Sequence, residues 1–382
     1  MDVPIDGTCA PGFDGVREAF AANFAERGEV GAAVHVILGG EVVVDLVGGW
    51  ADAARTRPWR HDTIVNVYSV GKAIAALLAL RLVDDGRLAL DQPVADVWPE
   101  FAAGGKATAT VAHALSHRAG VPAIREVLAP DDLFDWSRMT AALAATDAWW
   151  APGERVAYHT NTYGHLVGEL VHRASGVMPG PALRAIAEPL GADVWFGVPA
   201  LEQPRCADVI WAPPIAMPAL STFDGLDGDA LLNALAHFNP SAYSSVGVVN
   251  TPQWRELQLP STSGHASASG IARVYAALLE PGRLLSPDLL REATSLQAAG
   301  PCPILGDELG VGFGFVPTSA RRPLGPNARA FGHFGTGGAL GFADLDAGLA
   351  FGYAMNHVIP RWQSSRNRAL IDAAYAAIAR RR

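Results

Sequence analysis

Ser69-Val70-Gly71-Lys72 places a hydroxyl and an amine three positions apart at the start of a long apolar stretch. Residues i and i+3 share one face of a helix, so the amine can reach the hydroxyl. A serine in a first helical turn keeps its backbone N–H free, and that N–H can hold a developing oxyanion. The apolar run 73–80 that follows would strip water from Lys72 and favour its neutral, proton-accepting form. Lysine is otherwise almost absent. Of 29 basic residues only Lys72 and Lys106 are lysine, and burial can neutralise a lysine where an arginine stays charged.

Stepping outward from that pair, the patterning predicts the elements that would carry it. Phe13, Val16, Phe20 and Phe24 recur at helical spacing over 13–27, with Gly28 as a stop. Two β-rich runs, 32–38 and 41–47, flank Gly39-Gly40 and read as a hairpin. Residues 69–85 read as a buried helix closed by Gly86, and 108–117 as a second helix. Residues 163–173 and 181–189 also look helical, within a Pro- and Gly-rich middle. Strands at 339–345 and 349–355 flank Asp346-Ala347-Gly348, and an Ala-rich helix over 366–381 closes the chain. The expected fold class is α/β (α+β): an antiparallel sheet flanked by terminal helices, formed by 1–68 with 271–382, interrupted by a mostly helical domain over 69–270.

Composition removes several function classes. Half of the 382 residues are hydrophobic and 18% are charged, which excludes a disordered chain. A net charge of −9 with no basic stripe argues against nucleic acid as a partner. The run 73–80 is the longest apolar one, far short of the ~20 residues that span a bilayer, so no membrane partner is expected. The start Met1-Asp2-Val3-Pro4 lacks a basic, apolar leader, which points to the cytoplasm. Cys9, Cys206 and Cys302 have neither disulfide-framework nor zinc spacing.

Two downstream segments complete the pattern. Tyr158-His159-Thr160-Asn161 follows the turn Ala151-Pro152-Gly153-Glu154, and Gly332-His333-Phe334-Gly335-Thr336 precedes the last hairpin. Ser-x-x-Lys, then Tyr, then a basic-x-Gly strand resembles the serine β-lactamase and penicillin-binding-protein superfamily, and most closely its class C β-lactamase-like esterases, the family VIII carboxylesterases. Leu88-Ala89-Leu90-Asp91-Gln92-Pro93-Val94 and Ser116-His117-Arg118-Ala119-Gly120 read like that family's connecting segments. The resemblance implies a β-lactamase-like fold and an acyl-enzyme on Ser69, with Lys72 and Tyr158 sharing the proton transfers and no cofactor. The backbone N–H groups of Ser69 and Thr336 would form the oxyanion hole, and His333, Gly335, Thr160 and Asn161 would contact substrate. Which of Lys72 and Tyr158 takes the serine proton stays open.

Two departures bear on substrate. His333-Phe334-Gly335 stands where penicillin-recognising enzymes have Lys-Thr-Gly, and a neutral histidine attracts a substrate carboxylate less than lysine does. The Tyr-x-Asn motif has Thr160 in its third place and Asn161 one residue later. Both favour small or medium uncharged esters, with a β-lactamase, D-amino-acid peptidase or amidase, or acyltransferase using the same site as the alternative, and a non-catalytic binding protein as the second. Trp149-Trp150, eight residues before Tyr158, has a better claim than Trp136 or Trp211 to wall an apolar pocket, so Trp150 joins the substrate-binding set.

Competing motifs fail. No serine satisfies Gly-x-Ser-x-Gly, and Asn66 and Ala73 break a P-loop around Gly71-Lys72. His113 and His117 have metal-ligand spacing, but no glutamate follows His113; no metal is expected.

Overall fold

Strand-forming residues at the two ends of the chain meet in one seven-stranded antiparallel sheet in the computed structural model, which describes residues 3–211, 223–359 and 363–381. The strands are β1 (Ile5–Cys9), β2 (Gly31–Leu38), β3 (Glu41–Gly49), β4 (Val316–Pro317), β5 (Ala330–Phe334), β6 (Leu340–Asp344) and β7 (Leu349–Met355). Their spatial order is β1-β3-β2-β7-β6-β5-β4. The first hairpin pairs Leu38 with Glu41 across Gly39 and Gly40, both left-handed at φ 58° and 84°. That conformation is open to glycine and closes a two-residue turn with the twist of its strands. The second hairpin, β6 to β7, is held by Asp344, whose carboxylate accepts from the N–H groups of Asp346 and Ala347.

The principal helices are α1 (Asp14–Glu26), α2 (Val70–Asp84), α3 (Thr162–Ser175), α4 (Gly228–Phe238), α5 (Ala268–Leu279) and α6 (Ser365–Arg381). Strand register assigns their sides. A Cβ on Gly352 of β7 would strike Ala268 of α5, and Gly352 pairs with His35 of β2. A Cβ on Gly48 of β3 would touch Phe20 and Phe24 of α1, and Gly48 pairs with Ala32. His35 and Ala32 point to opposite faces because side chains alternate along a strand. Hence α5 covers one face of the sheet, and α1, packed against α6, covers the other. α2 lies between β5 and α3, and every residue from Val70 to Leu80 is buried. This explains why its sequence is apolar all round rather than striped.

The expected helix over 108–117 shrinks to Val111–Leu115, because Thr110 caps it and His117 turns left-handed at φ 60°. α5, capped by Ser267, was not anticipated; its small residues Ala268, Gly270 and Ala272 weaken the helical signal. Among the described residues no helix is long and apolar enough to cross a membrane.

One buried ion pair ties the two chain ends together. Arg366 Nη1 lies 2.8 Å from Glu29 Oε1 and also donates to His357 O, while Tyr353 donates its hydroxyl to Glu29. Burial raises the Glu29 carboxyl to about 7 against the opposing pull of Arg366. Removing the guanidinium leaves a buried carboxyl that must be ionised at high pH or protonated at low pH. Arg366→Ala is therefore expected to lower unfolding free energy by about 3–5 kcal/mol at pH 8. The raised carboxyl pKa makes the loss smaller at pH 5, where Glu29 is protonated in the fold. Urea denaturation at the two pH values checks both size and sign.

Candidate active site

Ser69 is the N-cap residue of α2, which puts its hydroxyl at the positive end of a fifteen-residue helix. Lys72, one turn on, is 0% exposed. Its Nζ lies 3.0 Å from Ser69 Oγ and donates to the carbonyls of Thr160 at 2.6 Å and Ser261 at 3.0 Å. Burial alone pushes the Lys72 amine well below its ordinary pKa, with no carboxylate opposing it. A neutral amine has two N–H bonds and one lone pair. The two carbonyls take the N–H bonds, which leaves the lone pair for the Ser69 hydroxyl.

Tyr158 comes to the same point from the other side. Its phenol interacts with the Ser69 side chain, which favours the ionised form, and Lys72 Nζ sits 4.9 Å from its ring centroid. Burial raises the phenol far above its usual value, outweighing the Ser69 contact. The phenol is therefore a proton donor in the resting site. The segment around it is held by His117: the His159 N–H donates to His117 Nδ1, and the Ala157 N–H to His117 O. Tyr158 N–H donates to Cys302 Sγ. The rings of His117 and Tyr158 lie 4.8 Å apart. Each histidine that was a metal candidate is thus otherwise engaged, since His113 Nδ1 accepts from the Thr110 N–H. Among the described residues no group of three or more His, Cys, Asp or Glu could hold a metal.

The loop 260–264 supplies what sequence reasoning missed. Ser261 gives Lys72 its carbonyl, while its hydroxyl donates to Asn161 O. The loop is fastened by Asn66, whose Nδ2 donates to Thr262 O and whose Oδ1 accepts from Trp254 Nε1. Close approach also explains Gly71 inside the Ser-x-x-Lys element: a Cβ there would fall 2.0 Å from Pro260 O. The run Pro260-Ser261-Thr262-Ser263-Gly264 was the only hint, and small polar residues also mark ordinary turns.

The strand after the sheet's edge brings in the remaining residues. Gly335 approaches Val67 so closely that a Cβ would lie 2.3 Å from Val67 O, which sets Thr336 beside Ser69. Among the described residues the backbone N–H groups of Ser69 and Thr336 donate to no carbonyl. His333 is 1% exposed and lies beneath the cavity rather than in its wall, its ring 6.2 Å from that of Tyr158. Its Nδ1 donates to Phe334 O, and burial holds its pKa down near 3.

A cavity of about 230 Å³ opens on Ser69. Thr160, Asn161 and Thr336 line it, as do Trp211, His237 and Tyr243. Asn161 faces it with both amide atoms occupied, Nδ2 donating to Ala236 O and Oδ1 accepting from Thr262 Oγ1. Trp150 does not line it. The turn 151–154 and the irregular segment 155–159 separate Trp150 from Tyr158 along the chain, and it packs at the margin of the apolar cluster that holds Val156, Ala157 and Tyr158. Trp150 packs instead beside the Arg155 guanidinium. Trp149 stacks on Arg125, and Trp136 donates to Glu169, so Trp211 is the wall tryptophan of the four.

The chain is similar to several known proteins. A family model described as Beta-lactamase matches residues 16–376. The esterase/beta-lactamase LipL of Mycobacterium tuberculosis is 33% identical over 372 residues, which cover 92% of this chain and 83% of that protein. A family VIII carboxylesterase structure is 38% identical with a TM-score of 0.89, covering 98% of this chain and all of that one. A penicillin-binding protein homolog from Caulobacter crescentus is 42% identical at the same TM-score, with the same coverage.

The depressed amine has a consequence for stability. The folded amine loses its proton at a lower pH than the unfolded chain's lysine does, so stability rises with pH toward the unfolded value near 10.5. In Lys72→Met that dependence is absent. Chemical denaturation is expected to show wild type gaining on the variant between pH 7 and pH 10, whichever is more stable at the start.

Proposed function

Because the chain belongs to the Beta-lactamase family, we propose that it is a serine hydrolase working through an acyl-enzyme, and that its substrates are small uncharged carboxylic esters. The observation that carries the reading is a serine hydroxyl 3.0 Å from a buried amine, with the ring of a buried phenol 4.9 Å from that amine. Ser69 Oγ attacks the ester carbonyl as its proton passes to the Lys72 lone pair. The new oxyanion sits against the N–H groups of Ser69 and Thr336 at the head of α2. As the C–O bond to the alcohol breaks, Tyr158 donates its phenolic proton to the leaving oxygen and is reprotonated from the Lys72 ammonium. Water then retraces the steps and releases the acid.

Three features favour esters over β-lactams and peptides. His333, in the place of a cationic lysine, is buried and neutral. The cavity wall holds no arginine or lysine among the described residues. The Asn161 amide is anchored within the protein by Nδ2 to Ala236 O and by Oδ1 from Thr262 Oγ1, which leaves it at most one N–H for a substrate amide. The same reading divides the chain into a sheet part, 1–68 with 271–382, and a mostly helical part, 69–270. It places the protein in the cytoplasm, where the free thiols of Cys9, Cys206 and Cys302 would persist.

Steady-state kinetics with p-nitrophenyl butyrate, nitrocefin and a D-Ala-D-Ala peptide test the substrate class. The expected order puts the neutral ester first in kcat/KM by at least about 10²-fold; a preference for nitrocefin or the peptide would contradict it. Ser69→Ala is expected to abolish turnover of the ester. Lys72→Ala and Tyr158→Phe should each lower kcat by at least about 10²-fold with unchanged circular dichroism.

A further inference from the structure

The described wall of the Ser69 cavity is aromatic and neutral, yet it holds polar atoms that no described residue pairs. His237, on the last turn of α4, donates from Nδ1 to Asn233 O at 2.9 Å. This fixes the proton on Nδ1 and leaves Nε2 with a bare lone pair. No donor among the described residues reaches that nitrogen, while the residue lines the cavity. Burial holds the imidazole below its ordinary pKa, so the acceptor form persists at neutral pH. Two further cavity residues carry buried polar atoms without a partner among the described residues, Trp211 Nε1 and Thr160 Oγ1.

The position of His237 is rigid. Asn161 donates to Ala236 O at 2.7 Å, joining the helix end to the segment that holds Lys72. Asn239, just beyond, donates to Ile124 O and Glu126 O and accepts from the Leu128 N–H. The cavity is also small. At about 230 Å³ it falls below the ~300 Å³ at which drug-sized sites begin, and it has room for on the order of ten heavy atoms.

Resting on the assignment of Ser69 as nucleophile, we propose that this cavity selects small uncharged esters bearing a hydroxyl group, and that His237 Nε2 accepts the hydrogen bond from that hydroxyl. An alkyl group laid over Nε2 would strip it of water and give nothing back, whereas a hydroxyl replaces the lost bond. A site that hydrogen-bonds a substrate hydroxyl discriminates against an analogue that lacks the donor more strongly than an apolar pocket discriminates by size.

The test compares kcat/KM for matched esters. On the acyl side these are ethyl butyrate, ethyl 3-hydroxybutyrate and ethyl 3-methoxybutyrate; on the alcohol side, 2-hydroxyethyl and 2-methoxyethyl butyrate. In wild type the hydroxy ester of at least one pair is expected to exceed its methoxy analogue by about 10-fold or more. His237→Leu should bring that ratio to within about threefold of unity, while His237→Gln, which keeps an acceptor, retains most of it. Thermal unfolding and circular dichroism report whether the variants fold, and the wild-type ratios decide the matter even if His237→Leu does not. Ethyl butyrate turnover without a hydroxyl preference in either pair overturns the proposal while leaving the hydrolase reading intact. So does a preference that survives in folded His237→Leu, or a uniform loss on all five esters in that variant. No hydrolysis of any ester, ethyl butyrate included, would instead overturn the hydrolase reading beneath it.

Discussion

A fully buried amine without a carboxylate partner is the constraint on which the rest of the site depends. Lys72 lies inside the protein with burial as the one influence on its pKa, and it remains there because it is neutral. That neutrality dictates its neighbours. A carboxylate nearby would restore the charge and remove the base, and the groups packed around it are a phenol, two backbone carbonyls and the uncharged histidines His117, His159 and His333. Lys106, the other lysine, shares the 0% exposure but not the setting. It donates to the carbonyls of Ala103 and Thr146, and Asp147 pulls its pKa back upward. Both lysines of an arginine-rich chain are interior, and the one without a nearby acid adjoins a serine.

The backbone around the site is held in conformations that side chains other than glycine rarely adopt. Tyr68 (φ 49°) precedes Ser69, Ser245 (φ 61°) shares a hydrogen bond with the Tyr68 hydroxyl, and His117 (φ 60°) stacks on Tyr158. Such residues cost on the order of 1 kcal/mol each and persist where packing determines them from several sides. Here they aim the Ser69 hydroxyl and the Tyr158 ring. The site draws on stability in two ways, strain in the backbone and desolvation of an amine, and the buried sheet and helices offset both.

Much of this arrangement is legible in the sequence where chemistry and spacing are local. Ser69 and Lys72 share a helix, so their separation follows from helical geometry alone. The hairpins at Gly39-Gly40 and Asp346-Ala347-Gly348 announce themselves through turn chemistry, and α2 through its apolar run. Legibility fails where contacts join distant segments. Nothing near Ser69 points to Ser261, almost two hundred residues away, because its contribution is a backbone carbonyl that any residue could supply. Trp150 has the shorter sequence distance to Tyr158, but a turn and an irregular segment lie between them, and the cavity wall takes Trp211 from a distant part of the chain. His333 is buried and does not line the cavity, since its depth is set by the pairing of β5 with β6 and by the packing around it, which its sequence neighbours do not announce. His237 gave no local signal, as its role depends on which helix end Asn161 happens to fasten.

The central claim is that Ser69 is a nucleophile because the amine of Lys72 is buried and uncharged. Brief exposure to a fluorophosphonate, followed by intact-mass and peptide mass spectrometry across a range of pH, measures this directly. The account predicts a single adduct on Ser69, formed rapidly at pH 7, lost when Lys72 is replaced by arginine, which cannot accept the proton, and lost in unfolded protein. An adduct on another residue, or labelling of Ser69 that proceeds equally well with arginine at position 72, would contradict it.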